Sequence, residues 1–279
     1  MMKLRIFLAT LCLAVALTGC ASSDKKTEDG KAAPAASPSL ANSDQEPVEA
    51  LYNRAARRLD EGKYAEAARL FNDVDRQYPY SQWAVRAQLM SGYAHYKHLR
   101  YDEAIIALDH YIELHPGDEN AAYAWYLKAL CFYEQITDVR RDQKMTELAL
   151  DSLRQVVQRY PNSKYARDAG FKIDLTKDHL AGKEMEIGRY YLDRRQYQAA
   201  INRFQRVVTR YQTTTHVPEA LHRLVESWLA LGVVDEARKS AAILGHNHPE
   251  SRWYKDTYAL IRGGGSGGSD DSVFDKFFN

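Results

Sequence analysis

One spacing recurs along this chain of 279 residues and constrains its fold more than any other feature. An alanine is followed twelve residues later by a residue that can end a helix, and this happens five times. The five pairs are Ala67 and Pro79, Ala104 and Pro116, Ala149 and Pro161, Ala200 and Gln212, and Ala237 and Pro249. Proline stops a helix because it lacks an amide donor and clashes with the preceding turn. The spacing therefore predicts five copies of one helical unit.

Three further positions keep the same register around each alanine. Three residues before it stand Tyr64, Tyr101, Thr146, Tyr197 and Val234; four residues after it stand Phe71, Leu108, Leu153, Phe204 and Ala241. Small residues precede the tyrosine position in most copies, at Ala55, Gly92, Ala129 and Gly188. The unit is a helix–turn–helix of about 37 residues, close to the roughly 34 of a tetratricopeptide repeat. Since one hairpin cannot bury its own apolar face, the copies must stack. We predict an all-α fold, an α-solenoid of five tetratricopeptide-like helix hairpins forming a superhelix.

The domain boundaries follow from this register and from composition. We assign residues 1–19 to a signal peptide, 20–46 to a flexible tether, 47–262 to the solenoid and 263–279 to a Gly/Ser-rich disordered tail. The repeats are expected at about 47–79, 80–116, 117–161, 162–212 and 213–249. The third repeat has an insertion at residues 137–142, where Asp142 is placed to cap the next helix. The fourth begins with extra helical turns.

The beginning of the chain indicates export and lipid attachment. Lys3 and Arg5 precede an apolar run that is too short to span a bilayer comfortably. The sequence Leu17-Thr-Gly-Cys20 then resembles the lipobox of bacterial lipoproteins. That resemblance implies acylation of Cys20, and Ala21 in place of an aspartate implies the outer membrane. More than one acyl chain makes a stable anchor. The alternative is an ordinary cleaved signal with a coincidental cysteine.

Charge and cysteine usage narrow the function classes. The chain has 38 basic and 37 acidic side chains, and removal of Lys3 and Arg5 leaves 36 against 37. This balance disfavours nucleic acid as a partner, because such binders need a clustered positive face. Cys131 remains alone on an apolar helix face, so we expect a buried small side chain rather than a catalytic thiol. At the other end, residues 273–278 (Val-Phe-Asp-Lys-Phe-Phe) are either a disordered end or a short docking peptide.

Several tracts resemble the BamD family of outer-membrane assembly lipoproteins. They are residues 160–169, 177–181, 186–191 and 197–203, together with the insertion at 138–143. The resemblance implies a non-enzymatic lipoprotein of the β-barrel assembly (BAM) complex on the periplasmic face of the outer membrane. It implies carboxy-terminal repeats that bind the periplasmic domains of BamA and amino-terminal repeats that recognise unfolded outer-membrane proteins. Other lipoproteins of the complex are further candidate partners, and no cofactor is implied.

The resemblance also suggests where partners bind. Arg194 and Arg203 occupy family positions associated with BamA, although each could equally be a solvated helix charge. For the substrate groove the candidates are Tyr52, Trp83, Tyr93 and Tyr96, with Tyr64 more plausibly part of the core. Packing remains the alternative for every tyrosine, because burying one such ring contributes roughly 1.5–3 kcal/mol.

Other chemistry has weak support in the sequence. His95, His98, His110 and His115 fall on two paired helices, but no acidic or sulfur ligands converge with them to specify a zinc site. We find no phosphate loop, nucleophile elbow or HExxH motif, so we expect no catalytic or metal residues. The rival function is another periplasmic repeat lipoprotein, such as a coordinator of Tol–Pal or of peptidoglycan synthesis.

Overall fold

The computed structural model describes residues 46–263, and within that range it contains eleven α-helices and no strand. Ten of them form five consecutive hairpins: α1 (Val48–Asp60) with α2 (Tyr64–Gln77), α3 (Gln82–Lys97) with α4 (Tyr101–Leu114), α5 (Ala121–Tyr133) with α6 (Lys144–Arg159), α7 (Lys164–Asp193) with α8 (Tyr197–Arg210), and α9 (Val217–Ala230) with α10 (Val234–Asn247). The last helix, α11 (Arg252–Gly263), packs against α9 and α10. The prediction of an all-α repeat fold is confirmed. The signal peptide, Cys20, the tether before residue 46 and the tail after residue 263 lie outside the described residues.

Helix contacts show how the hairpins stack. Each helix packs against the next one along the chain, and the first helices of successive hairpins also touch each other: α1 with α3, α3 with α5, and α5 with α7. Among the described helices, no two second helices of neighbouring hairpins share comparable contacts. The first helices are therefore the crowded, inner side of the stack, and the second helices form its outer side. This asymmetry is what curves a solenoid and creates an inner binding face.

The repeat positions read from the sequence form the core. All five register alanines are at most 1% exposed, and the residues four positions later are 0% exposed. At the small positions, a Cβ added to Gly92 would lie 2.8 Å from the Leu108 side chain, and one added to Gly188 would lie 2.4 Å from the Phe204 ring. Helices in these hairpins approach too closely for a larger side chain, which explains the small residues at these positions.

The turn inside four of the hairpins has one geometry. Its central residue has a positive φ of 75° at Gly62, 60° at Leu99, 57° at Arg195 and 76° at Gly232. The next amide bonds back to the carbonyl five residues earlier, for example Lys63 to Arg58 at 2.9 Å and Gln196 to Tyr191 at 2.9 Å. This is the Schellman ending of a helix, in which glycine is favoured because it has no Cβ. Leu99 and Arg195 adopt the same conformation at a cost of roughly 1–2 kcal/mol each.

The second helices also end alike. The amides of Tyr78, His115, Tyr160, Tyr211 and His248 each bond to a carbonyl four residues earlier, with φ between −126° and −139°. Proline follows in four cases, and a residue before proline is restricted to such extended geometry. Tyr211 reaches the same conformation before Gln212. Stacking of the hairpins can therefore impose this ending without proline.

The third hairpin differs because of its insertion, and here one expectation is wrong. Asp142 does not cap α6; the residue at the start of that helix is Gln143, and its side chain makes no cap hydrogen bond to the helix. Instead the Gln143 amide donates to the carbonyls of Val139 at 3.2 Å and Arg141 at 3.0 Å. The glutamine is long enough to turn back and satisfy the loop's own carbonyls, so it organises the insertion rather than the helix.

Helix α7 holds this insertion in place. The extra turns predicted before the fourth repeat are continuous with its first helix, giving one helix of 30 residues that Ser163 caps by accepting from the Ala166 amide. His179 Nε2 lies 2.7 Å from the Thr137 carbonyl, and Lys183 Nζ donates to the Arg140 carbonyl at 2.8 Å. The extension therefore supplies the side chains that bind an otherwise irregular loop. Neither α7 nor any other described helix combines the length and apolar character needed to cross a membrane.

Candidate partner-binding surfaces

A cleft of about 480 Å³ opens on the inner side of the first three hairpins. Its apolar and aromatic lining comprises Tyr52, Val85, Leu89, Met90 and Tyr111. Its polar lining comprises Gln82, Arg86, Asp118, Glu119 and Asn120. We call it the amino-terminal cleft. Apolar walls with a few fixed polar groups are typical of sites that bind a ligand or an extended peptide.

Of the predicted groove residues, Tyr52 lines this cleft, and Trp83 packs against the Tyr52 ring. The rings of Tyr52 and Trp83 lie 4.8 Å apart between centroids, and Tyr52 also contacts Phe71 edge-on at 5.4 Å. The Arg86 guanidinium lies 5.7 Å from the Trp83 ring. Both rings are half-buried, so each contributes to packing while keeping a face available. Burial also raises the pKa of the Tyr52 hydroxyl, which keeps it protonated and able to donate a hydrogen bond.

Tyr93 and Tyr96 lie elsewhere. They are ten and thirteen residues beyond Trp83 on the same helix, which places them about 15–20 Å away along its axis. Tyr93 packs against the core of the second and third hairpins, and Tyr96 lies 6.0 Å from the Tyr101 ring. The Tyr96 hydroxyl is 3.5 Å from Glu134 Oε1, and burial raises its pKa to about 12. The four predicted groove residues thus form two separate groups.

Two tyrosines of the third hairpin were missed by the sequence analysis. Tyr123 and Tyr126 on α5 both contact the ring of Tyr165 on α7, with ring centroids 5.3 and 5.4 Å apart. Tyr126 also donates a short hydrogen bond to Asp168. They continue the aromatic surface from Tyr96 toward the fourth hairpin. Their spacing of three on a first helix was the available signal, because it puts both rings on one face.

The polar rim of the amino-terminal cleft is fixed in position. Asp118 Oδ1 accepts from the Tyr111 hydroxyl at 2.6 Å and from the Asn120 amide at 2.7 Å. Burial raises the pKa of this carboxyl, but these two hydrogen bonds outweigh burial and hold the pKa below its usual range. Glu119 and Arg86 beside it are exposed and make no ion pair among the described residues. The rim therefore offers both a carboxylate and a guanidinium to a bound segment.

The first helices of the fourth and fifth hairpins carry a chain of charged side chains instead. Arg189 Nη1 lies 3.0 Å from Glu219 Oε1, and Arg223 Nη1 lies 2.7 Å from Glu226 Oε2. Glu219 also approaches Arg223 Nε at 3.7 Å. The chain ends at the buried His222, whose Nδ1 lies 2.8 Å from the Thr257 hydroxyl on α11. We call this the charged ladder; its charged members on α7 and α9 neutralise one another, and the hydrogen bond to Thr257 connects it to α11.

The two arginines predicted to face BamA contact α7 at different points along its length. Arg203 Nη1 on α8 lies 3.1 Å from Glu184 Oε2, and Arg206 shares that carboxylate at 3.3 Å. Arg194, at the end of α7, has its guanidinium 3.6 Å from the Tyr190 ring centroid. Their contacts on α7 are six residues apart, about 9 Å along the axis. Arg203 is thus engaged by an internal carboxylate, whereas Arg194 is exposed and stacked on an aromatic ring.

Groups that could support other chemistry are arranged as follows. Cys131 is fully buried in the core of the second and third hairpins, and burial raises the pKa of its thiol to about 12. It therefore stays protonated at neutral pH, and the prediction of a buried cysteine is confirmed. His115 Nε2 lies 2.8 Å from Gln88 Oε1. Among residues 46–263, no three His, Cys, Asp or Glu side chains are grouped closely enough to hold a metal ion.

Known proteins resemble this chain over most of its length. A family model described as an outer membrane lipoprotein (YfiO) matches residues 44–243. The outer membrane protein assembly factor BamD of Caulobacter vibrioides is 50% identical over 93% of this chain and 81% of its own length. BamD of Rickettsia prowazekii is 47% identical over 77% of this chain and 86% of its own length, and BamD of a Neisseria meningitidis serogroup A strain is 33% identical over 88% and 91%.

Among solved structures, the similarity is weaker. A thermophilic TPR protein from Thermus thermophilus has 17% sequence identity and a TM-score of 0.37, covering 77% of this chain and 98% of that one. Similarity of this size adds nothing to the fold already described.

Proposed function

We propose a mode of action for this chain that starts from one premise. The chain belongs to the outer membrane lipoprotein family that includes the BamD assembly factors. Its function is that of an outer membrane protein assembly factor in the BAM complex. It associates with the outer membrane, and we propose that acylation of Cys20 provides the anchor. The protein acts by binding partners, and two sites divide that work: the amino-terminal cleft, and the region around Arg194 at the end of α7.

We propose that the amino-terminal cleft holds an extended segment of an unfolded outer-membrane protein. The single observation that supports this most is the cleft itself, which the Tyr52 ring and the fixed carboxylate of Asp118 both line, with Trp83 packed against Tyr52. Rings contact alternate side chains of a strand without demanding one sequence, and fixed polar groups bind its backbone. Tyr123, Tyr126 and Tyr165 form a separate aromatic group beyond Tyr96, which a longer segment also contacts.

A crosslinking experiment tests the cleft. A photo-crosslinking amino acid at position 86, on the cleft rim, should capture a peptide from the carboxy-terminal strand of an outer-membrane protein. The matched control is position 57, which is exposed on α1 and does not line the cleft. A second variant, Trp83→Ala, should reduce capture at position 86 several-fold. Equal capture at both positions would contradict the proposal.

We propose that the carboxy-terminal hairpins bind the periplasmic domains of BamA through Arg194. Its guanidinium is exposed and held over Tyr190, and no carboxylate of the described residues pairs with it. Arginine suits this role because its planar group can hold a carboxylate with two hydrogen bonds. Arg203 acts differently: with Glu184 it fixes α8 against α7, so its effect on BamA is through position.

Variants separate these two roles. Arg194→Glu should weaken binding to the soluble BamA periplasmic domains at least tenfold without changing the melting temperature. Arg203→Glu should weaken binding and also lower the melting temperature, because it puts two carboxylates together. Glu184→Gln removes the carboxylate of the internal ion pair but leaves Arg194 and Arg203 in place. It therefore shows how much of the effect of Arg203→Glu comes from losing that ion pair. If Arg194→Glu binds BamA normally, Arg194 is not the contact.

A pulldown from solubilised envelope tests the wider assignment. BamA should be recovered with the wild-type protein. Recovery of Tol proteins or peptidoglycan synthases without BamA would instead support a coordinator of those systems and overturn the proposal. The membrane anchor has its own test, since Cys20→Ala should release the protein from the membrane fraction.

A further inference from the structure

A second cleft, of about 570 Å³, lies between the end of α7, the end of α9 and α11. Its apolar lining is Leu192, Tyr197, Leu229, Ala230 and Leu260. We call it the α11 cleft. The turn between α9 and α10 directly follows Ala230 in the sequence, and its Leu231, Val233 and Val234 are 42%, 38% and 43% exposed. Apolar side chains exposed in one contiguous region are typical of a surface that another segment covers.

The charges around this cleft are divided into paired and unpaired groups. Arg223 and Glu226, in its floor, bind each other at 2.7 Å. On the rim, the Arg195 side chain is exposed and makes no ion pair or hydrogen bond among the described residues, and the Arg194 side chain beside it contacts the Tyr190 ring. Of the described residues, Asp193 is the one unpaired carboxylate on the rim. The cleft is therefore apolar inside, with a net positive rim.

The conformation of Arg195 favours an outward role for its side chain. It occupies the turn position that is glycine in the first and fifth hairpins, with φ of 57°. An arginine there costs roughly 1–2 kcal/mol relative to an unstrained residue. Strain of this kind persists where the side chain is used. Here the side chain stands on the rim of a cleft whose apolar lining is partly exposed.

The chain itself contains a segment that matches this cleft. Residues 264–269 are glycine and serine only, and residues 270–279 combine Val273, Phe274, Phe277 and Phe278 with three aspartates and one lysine. Helix α11 forms one wall of the cleft through Leu260 and ends at Gly263, so the linker is joined to the chain three residues after a residue of that wall. Six Gly/Ser residues span about 13 Å on average, which is enough to bring residues 270–279 over it.

We propose that residues 270–279 dock into the α11 cleft of the same molecule. The phenylalanine side chains cover Leu192, Leu229 and Leu260, and the aspartates face Arg194 and Arg195. A short linker gives the segment an effective concentration in the millimolar range, so even a weak contact is substantially occupied. The docked segment covers the rim that carries Arg194 and therefore competes with any partner that uses that rim.

Hydrogen exchange tests the proposal without any partner protein. The full chain is compared with a variant that ends at Gly263. Truncation should speed exchange several-fold at the amides of residues 192–197 and 229–234, and leave the equivalent turn at residues 59–64 unchanged. The triple variant Phe274→Ser, Phe277→Ser, Phe278→Ser should reproduce the truncation in a chain of full length. Identical exchange in all three proteins would overturn the proposal.

A peptide experiment tests the charge contact and the intramolecular arrangement. A fluorescent peptide of residues 270–279 should bind the truncated protein, and Arg195→Glu should weaken that binding at least fivefold. The matched control is Arg57→Glu, the same charge change on an exposed arginine of α1. Equal binding by both variants would contradict the role of Arg195. Protection in the full chain that grows with protein concentration would indicate docking between copies and would overturn the intramolecular assignment.

Discussion

The inner surfaces of the two halves are built from the same hairpin but are chemically different. In the first three hairpins the inner side carries rings and an open cleft, with Arg86 and Glu119 unpaired at its rim. In the fourth and fifth, the inner side carries the charged ladder, where arginines and carboxylates already neutralise one another. Binding energy is available from groups that are not yet paired, because a paired charge must first lose its partner. The inner surface of the amino-terminal half is thus suited to binding varied segments, and that of the carboxy-terminal half to holding its own geometry.

The largest expected effect compares how tightly the two halves are packed. Gly188→Ala puts a Cβ 2.4 Å from the Phe204 ring, whereas Gly92→Ala puts one 2.8 Å from Cγ and Cδ2 of Leu108. We expect Gly188→Ala to destabilise the protein by about 2–3 kcal/mol and Gly92→Ala by about 1 kcal/mol or less, since alanine also gains helix propensity. Urea unfolding followed by circular dichroism measures both. Phe204→Leu in the Gly188→Ala background should restore part of the loss, and a stabilising Gly188→Ala would refute the close approach.

The next effect tests whether the charged ladder is structural. Glu219 approaches both Arg189 and Arg223 and is 17% exposed, so Glu219→Gln leaves two arginines without this carboxylate. The arginines are 36% and 26% exposed, so water compensates partly, and we expect a loss of about 1 kcal/mol. Glu119→Gln at the amino-terminal cleft is the matched control and should change the melting temperature little. Equal effects of the two substitutions would remove the contrast between the halves.

The dependence of stability on acid pH is a further test of the charged ladder in the carboxy-terminal half. Burial raises the pKa of Glu226, but hydrogen bonds from His222 and Arg223 outweigh burial and hold the pKa below the ordinary 4.5. A carboxyl whose folded pKa is depressed stabilises the protein above its unfolded pKa and loses this effect as pH falls through the folded pKa. Stability should therefore decline below about pH 4.5. In Glu226→Gln the decline between pH 5 and pH 3 should be shallower, as measured by thermal melts. An unchanged slope would mean that this carboxyl does not couple folding to pH.

The smallest expected effect asks whether the two halves store similar strain. Leu99 and Arg195 both have positive φ in equivalent turns. Replacement by glycine relieves the strain but increases the entropy of the unfolded chain, so each variant should gain about 0.5 kcal/mol. Gly62→Ala, in the same turn of the first hairpin, should lose about 1 kcal/mol. Differential scanning calorimetry can rank the three variants, and a loss on Leu99→Gly would show that its side chain contributes to packing.

The fold was predictable to within a few residues, and particular positions show why. The register alanines and the residues four positions later appear in the core because tight helix pairing selects small and large side chains at fixed intervals. Helix α11 was not predicted as part of a repeat, because its residues carry no repeat register. Proline at position 161 made the end of α6 predictable. Helix α8 ends with the same geometry before Gln212, because the stacking of the hairpins imposes that ending.

The candidate sites were predictable only in part. Tyr52 and Trp83 contact each other, but Tyr93 and Tyr96 lie about three to four turns beyond Trp83 on α3. Tyr123 and Tyr126 were not selected, although their spacing on α5 was visible. Asp142 was assigned a capping role that Gln143's loop contacts replace. Local spacing fixes which residues share a helix face, but not which neighbouring hairpin that face meets.

The sequence by itself determined the helices, their pairing, the residues of the core and membership of a family. Those features depend on short-range periodicity and on how closely two adjacent helices can approach. The tertiary structure decided which charges are already satisfied. Glu184 lies nineteen residues before Arg203, and Arg189 lies thirty residues before Glu219, yet each pair is in contact. Whether an arginine is free to bind a partner depends on such long-range contacts, and only the stacked hairpins bring them about.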